Sequence, residues 1–397
     1  MKLSRKIAVI AAVATAGTAA AVLPMATSNA AVACAPAWSA SAVYVKDNVA
    51  SQNGHNYTAK WWTQNESPAT NSSQWAVWAD NGVCGGTTPP TTPPTTGPTT
   101  PPPTTGTKMA AAPYIYPGWG NPPAPATVVN ATGIKAFTIA FVLASNGCNP
   151  AWDGSTGLTG GAHASTIAAI RAAGADVIPS IGGWSGNKLG PNCSTPEALA
   201  GAYQKVIDAF GLKAIDVDIE NTDEFENYVV ADRIVDALKI VKQKNPSVKT
   251  ILTFGTTTTG PNAHGVRLIQ QAKAKNANID VFTQMPFDFS GGADMYASTV
   301  GATEGLKNVL KSTFGYTDAQ AYSRIGISGM NGLSDQQEVT SVETWTRIRD
   351  YARNNGLARF AFWAVNRDRG CAGGGVVSDC SGIAQADWAF TKVSAGF

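Results

Sequence analysis

The chain has 397 residues, 44% hydrophobic and 14% charged, with a formal net charge of +2. That length accommodates one large domain and a small one, and the near-neutral balance leaves no electrostatic footprint for nucleic acid or an anionic membrane. The three histidines, His55, His163 and His264, are scattered, so no zinc spacing exists and neither a metal nor an organic cofactor is expected.

Residues 1–30 have the layout of an export signal. Lys2, Arg5 and Lys6 form a basic start and residues 7–23 an apolar stretch, followed by small-residue cleavage sites at Ser28-Asn29-Ala30 or Ala31-Val32-Ala33. No other segment is long and apolar enough to span a bilayer. A secreted, extracellular monomer is expected. Six cysteines in an exported chain favour disulfides. Cys34 and Cys84 bracket the N-terminal region, Cys148 and Cys193 follow consecutive expected strands, and Cys371 and Cys380 close a short loop. Those three pairs are the expected bridges.

Residues 34–84 are too few for a large core, yet they carry Trp38, Tyr44, Tyr57, Trp61, Trp62, Trp75 and Trp78. Short alternating runs such as Tyr57–Trp62 read as strands. Adjacent Trp61 and Trp62 then point to opposite faces, so at least one lies outside a core. An exposed ring offers a flat apolar platform to the C–H face of a sugar; for Trp38, Tyr57 and Trp75 a small aromatic core is the plainer reading. Ala37-Trp38, Tyr44, Gly54-His55-Asn56-Tyr57, Ala59-Lys60-Trp61-Trp62-Thr63 and Trp75-Ala76-Val77-Trp78 together resemble the chitin-binding modules of carbohydrate-binding families 5 and 12. The resemblance implies a chitin-binding face built from Tyr44, Trp61, Trp62 and Trp78.

Residues 85–107 are a Thr/Pro-rich linker. Its prolines favour extended polyproline II, and fully stretched it spans roughly 70 Å. Its threonines are candidates for O-linked sugars.

From residue 108 to 397 the chain alternates strand-like and helix-like segments. Strands are expected over Tyr114–Tyr116, Ala136–Val142, Asp176–Ile181, Ala214–Glu220, Thr250–Phe254, Val281–Phe287, Ser323–Ile327 and Arg359–Ala364. Helices fall between most of them, including Ala164–Ala173, Pro196–Phe210 and Ser341–Asn354. Eight such strands over about 290 residues suit an α/β fold of the (β/α)8 TIM barrel type. An open doubly wound sheet is the alternative, but no Gly-rich phosphate loop supports it.

Within the fourth strand, Asp216, Asp218 and Glu220 alternate with Ile215, Val217 and Ile219. The acids therefore share one face. Burying them is costly through repulsion and desolvation, which points to proton chemistry; a solvated strand or a hard-cation site is the competing explanation. Glu220 ends its strand, on the side where barrels carry their sites.

Four blocks of the barrel resemble glycoside hydrolase family 18. They are Asp216-Val217-Asp218-Ile219-Glu220, Ser180-Ile181-Gly182-Gly183-Trp184, Gln284-Met285-Pro286-Phe287-Asp288-Phe289 and Phe362-Trp363-Ala364-Val365-Asn366-Arg367-Asp368. The resemblance implies retaining hydrolysis assisted by the substrate's acetamido group. Glu220 would be the general acid, Asp218 would orient the acetamido N–H, and Asp216 would share a proton with Asp218, with like-charge crowding raising Glu220's pKa. Trp363 would floor the subsite, with Met285 and Asp288 flanking it. Gly182 and Gly183 would let backbone approach the sugar.

Two departures stand out. Lys213-Ala214 replaces the family's Asp-Gly ahead of the acids, and Phe287 and Phe289 flank Asp288 where a Tyr is usual. Gln284, Tyr116 and Asn366 are the candidates to replace that hydroxyl. The implied protein is a chitinase, endo-type, acting on chitin and chito-oligosaccharides. A chitin-binding lectin on an inactive barrel and an endo-β-N-acetylglucosaminidase are the alternatives.

Overall fold

A computed structural model describes residues 32, 34–40, 42–44, 47–61, 63–73, 76–85, 108–371 and 374–397. The export signal, Trp62, Trp75 and the linker from residue 86 onward lie outside the described residues. The chain divides into two compact units, Met1–Thr99 and Thr100–Phe397, and the break falls within the Thr/Pro stretch.

In the first unit, β1 (Val43–Tyr44) pairs with β4 (Thr63–Gln64), and β2 (Val49–Gln52), β3 (His55–Ala59) and β5 (Trp78–Val83) make an antiparallel sheet. Ala50, Tyr57, Ala59 and Trp78 form its small core, and a Cys34–Cys84 disulfide closes the module. Trp78 is fully buried and its indole N–H donates to the Glu66 carbonyl at 2.8 Å. The expectation of Trp78 on a binding face is therefore corrected: it is the centre of the core. Tyr44 packs edge-on against it at 5.1 Å, half-buried, while Trp61 is 48% exposed.

The second unit begins with β6 (Tyr114–Ile115), α1 (Pro125–Thr132), β7 (Ala136–Ser145), β8 (Asn149–Trp152), α2 (Gly161–Ala172) and β9 (Asp176–Gly182). It continues through α3 (Leu189–Asn192), α4 (Pro196–Phe210), β10 (Ala214–Ile219), α5 (Tyr228–Lys244), β11 (Lys249–Gly255), α6 (Ala263–Ala274) and β12 (Val281–Met285). It ends with α7 (Met295–Phe314), α8 (Asp318–Tyr322), β13 (Ile325–Met330), β14 (Gly332–Leu333), β15 (Val339–Thr340), α9 (Val342–Asn354), β16 (Arg359–Trp363) and α10 (Ala389–Ser394).

Strands β6, β7, β9, β10, β11, β12, β13 and β16 pair in parallel in that order. The Ala112 N–H donates to the Phe360 carbonyl at 2.9 Å, joining the last strand to the segment entering the first. The eight strands form a nearly closed (β/α)8 barrel, not an open doubly wound sheet.

Local sequence explains the helices. In α4, Thr195 caps the Ala198 N–H, Pro196 occupies the first turn and Gly211 ends it with a left-handed φ of 55°. Its buried stripe includes Leu199, Tyr203, Val206 and Ile207, and packs into the layer between helices and barrel. Ile215, Val217 and Ile219 face that same layer, so period-two alternation turns the three acids inward.

The barrel interior is layered. Ala112, Ala136, Ile178, Ala214, Ile251, Val281 and Ala358 make an apolar floor. Above it sits a polar layer of Thr138, Ser180, Asp216, Thr253, Thr283 and Arg359, all fully buried. Disulfides Cys148–Cys193 and Cys371–Cys380 form as expected. No helix among the described residues is long and apolar enough to cross a membrane.

Candidate active site

A cavity of about 640 Å3 opens at the carboxyl ends of the strands. Six of the expected residues line it: Tyr116, Asp218, Glu220, Met285, Asp288 and Trp363. Trp363 stacks on Phe141 at 5.7 Å and meets Tyr114 edge-on at 6.0 Å, so its ring is held as a rigid floor. Trp119 and Trp184, 52% and 66% exposed, flank the same cavity.

Asp216 lies below the cavity in the polar layer. Its carboxylate accepts from Tyr114 Oη at 2.6 Å, Ser180 Oγ at 2.9 Å and Thr253 Oγ1 at 2.5 Å, and pairs with Arg359 at 3.5 Å. Arg359 also donates to Thr253, Thr283 and Thr138 at 3.1 to 3.2 Å. Those four partners hold Asp216 in place below Asp218. Asp218 is the group with spare capacity: its Oδ1 is buried with no partner among the described residues. Burial pushes the Asp218 carboxyl well above the carboxylate range, and Glu220 and Asp216 push it the same way.

Glu220 follows β10 directly. Its carboxyl is pushed up to about 7, chiefly by burial, against the pull of Lys188 and with smaller pushes from Asp288 and Asp216. Desolvation, more than like-charge crowding, thus raises it. Glu224, on the turn Asn221–Phe225 that follows, is also buried and pushed up to about 8, again mainly by burial.

Asp288 is fastened to a neighbouring hairpin. Its backbone, at a left-handed φ of 60°, donates to Glu338 Oε1 at 2.5 Å, and its Oδ1 accepts from the Gln336 N–H at 3.3 Å.

Other expected residues lie elsewhere. Gln284 sits on the outward face of β12, fully buried, with its amide against the Thr303 hydroxyl of α7 at 2.8 Å; it cannot reach the cavity that its neighbour Met285 lines. Gly182 and Gly183 do not line the cavity either. Both have positive φ, 112° and 89°, and a Cβ there would strike the Asp218 carbonyl at 2.1 Å or the Phe141 ring at 2.9 Å. Their small size serves barrel packing rather than sugar access. Asn366 spends its side chain on the backbone of Tyr116, Trp119 and Gly120, and the Tyr116 hydroxyl donates to Asp153 at 2.8 Å. Of the three candidates, Tyr116 alone lines the cavity, and its hydroxyl is engaged by Asp153.

No group of three or more His, Cys, Asp or Glu side chains among the described residues is placed to hold a metal ion. The arrangement suits proton transfer to and from a neutral ligand lying on Trp363.

The class of protein follows from this geometry together with comparison to known proteins. It is a (β/α)8 barrel homologous to chitinases over most of the chain, preceded by a segment, residues 37–79, that matches carbohydrate-binding module family 5/12. Among particular relatives, a probable bifunctional chitinase/lysozyme of Escherichia coli strain K12 is 26% identical over 351 residues, 84% of this chain and 38% of that protein. Endochitinase 11 of Metarhizium anisopliae is 26% identical over 349 residues, 84% of this chain and 64% of that protein. The chain thus spans less than two thirds of the length of either curated relative. Among solved structures, active domain 2 of a thermostable Pyrococcus furiosus chitinase, a catalytic-site mutant complexed with chito-oligosaccharides, superposes with a TM-score of 0.66 at 29% identity, covering 73% of this chain and 94% of that one.

Proposed function

We propose that the protein is a secreted glycoside hydrolase that cleaves β-1,4 links between N-acetylglucosamine units of chitin, with retention through the substrate's own acetamido group. The observation that carries this reading is the pairing of Glu220 and Asp218 on the wall of a cavity floored by Trp363. A carboxyl held near 7 is protonated at mildly acidic pH and ionised just above, as an acid that later serves as base requires.

The sugar at the cleavage point lies on Trp363 with its linkage oxygen toward Glu220. Glu220 protonates that oxygen as the glycosidic bond breaks. The acetamido carbonyl oxygen attacks the anomeric carbon, closing a positively charged oxazolinium ring, and the departing chain takes the Glu220 proton. Asp218 Oδ1, otherwise unsatisfied, accepts the acetamido N–H and aims its carbonyl at the anomeric carbon. Glu220, now a carboxylate, takes a proton from water, whose oxygen reopens the ring on the face from which the leaving group departed. The result is retained configuration without an enzymic nucleophile.

The N-terminal module supports action on insoluble polymer. A tethered binding face raises the local concentration of substrate for the barrel, and the exposed ring of Trp61 supports such a face. Residues 1–30 support secretion.

A second reading, a chitin-binding lectin on an inactive barrel, is favoured by Phe287 at the position of the usual tyrosine. Turnover of a fluorogenic chito-oligosaccharide separates the two. We expect turnover of that substrate and release of soluble oligomers from colloidal chitin, with no cleavage of cello-oligosaccharides. Binding to chitin without turnover would establish the lectin. Cleavage of a high-mannose glycan in preference to chitin would establish an endo-β-N-acetylglucosaminidase.

A further inference from the structure

Lys188 is a buried cation beside the acid cluster, and the hydrolytic scheme leaves it without a role. It precedes α3 and is 2% exposed. Burying an ammonium is costly unless its protons are matched. Here three oxygens take them: the Trp184 carbonyl at 3.2 Å, Asn221 Oδ1 at 3.2 Å and Asp223 Oδ1 at 3.0 Å.

The identity of those partners is informative. Trp184 belongs to the loop after β9 and flanks the cavity, whereas Asn221 and Asp223 belong to the turn directly after Glu220. Asn221, with a left-handed φ of 49°, also donates its Nδ2 to the same Trp184 carbonyl at 2.7 Å. The two loops are therefore joined through one ammonium and one amide, next to the residue that must present its carboxyl to the linkage oxygen.

We infer that Lys188 is a positioning residue for the proton donor: it locks the turn that directly follows Glu220 to the Trp184 loop and places a positive charge beside that carboxyl. This rests on the reading of Glu220 as general acid. The charged and titratable groups around Glu220 are Asp216 and Asp218 on β10, Glu224 on the following turn, Asp288 after β12, and Lys188 after β9, while Asp223 acts on Glu224 and pairs with Lys188. Arg359 on β16 acts on Asp218. Lys188 is the cation that opposes the upward push on Glu220. Removing its charge leaves burial and the acids unopposed, so Glu220 would hold its proton to higher pH.

The test is the pH dependence of kcat/KM on a fluorogenic chito-oligosaccharide for the full chain, Lys188→Met, Lys188→Gln and Lys188→Arg. In the parent protein activity is expected to fall on the alkaline side near pH 7, as Glu220 loses its proton. Lys188→Met is expected to move that limb up by about one pH unit, Lys188→Gln to move it likewise while keeping a donor, and Lys188→Arg to return it toward the parent position. An unmoved limb in either folded neutral variant overturns the inference, even where the rate has dropped, and Lys188→Gln decides if Lys188→Met does not fold. Glu220→Gln is run alongside. Should that variant keep parental activity, it is the reading of Glu220 that fails, whatever the Lys188 profiles show.

Discussion

Glu220→Gln is expected to lower kcat on a chito-oligosaccharide by about 10²–10⁴-fold, the range that general acid–base catalysis supplies, with little change in KM. Glutamine preserves the shape and the acceptor oxygen but cannot release a proton to the linkage oxygen or take one from water. The stacking surface of Trp363 and the free acceptor of Asp218 are untouched, so ground-state binding should persist. Steady-state kinetics with isothermal titration of the same oligomer checks both halves. A large rise in KM with kcat unchanged would mean that Glu220 binds substrate and donates nothing.

Arg359→Met is expected to destabilise the barrel by about 3–5 kcal/mol, the cost of leaving a buried charge uncompensated. Asp216 would lose its only cationic partner among the described residues, and Thr138, Thr253 and Thr283 would each lose a donor. The three hydroxyls that remain on Asp216 keep it hydrogen-bonded but leave its buried carboxylate without a cation. Urea unfolding with unchanged m-value reads this loss. The double variant Arg359→Met with Asp216→Asn should recover part of it, because the amide carries no charge to strand. A fall of less than about 1 kcal/mol in the single variant would place the pair among those whose desolvation cancels their attraction.

The two sets of side chains that sequence reading handled well and badly differ by one rule. Alternation placed Asp216, Asp218 and Glu220 on a common inward face, and β10 bears this out in its outward Ile215, Val217 and Ile219. The same rule, applied to the sixth and eighth strands, would have corrected two errors. Gln284 and Met285 are adjacent and cannot face one cavity. Arg359 lies four residues before Trp363 and so shares its inward face, yet an arginine inside a barrel went unremarked. Trp78 was misplaced for another reason: in a module this small a single tryptophan can supply most of the core, and family pattern does not distinguish the core ring from the exposed one.

Lys188, Glu224 and Glu338 were not legible. Each acts from a loop or turn whose path depends on long-range packing, and no local spacing links Lys188 to Asn221 or Glu338 to Asp288. The glycines of the Ser-Ile-Gly-Gly run were seen but given the wrong neighbour. The Asp218 carbonyl and the Phe141 ring that exclude a side chain there appear only once the strands are assembled.

The central claim is that the substrate's acetamido group, steered by Asp218 and triggered by the Glu220 proton, performs the displacement. Proton NMR of the reducing ends first released from an N-acetylated chito-oligosaccharide tests it most directly, with a fully deacetylated oligomer as companion. The account predicts the β-anomer in excess before mutarotation sets in, and no cleavage of the deacetylated chain. Initial release of the α-anomer, or equal cleavage of both oligomers, would contradict it.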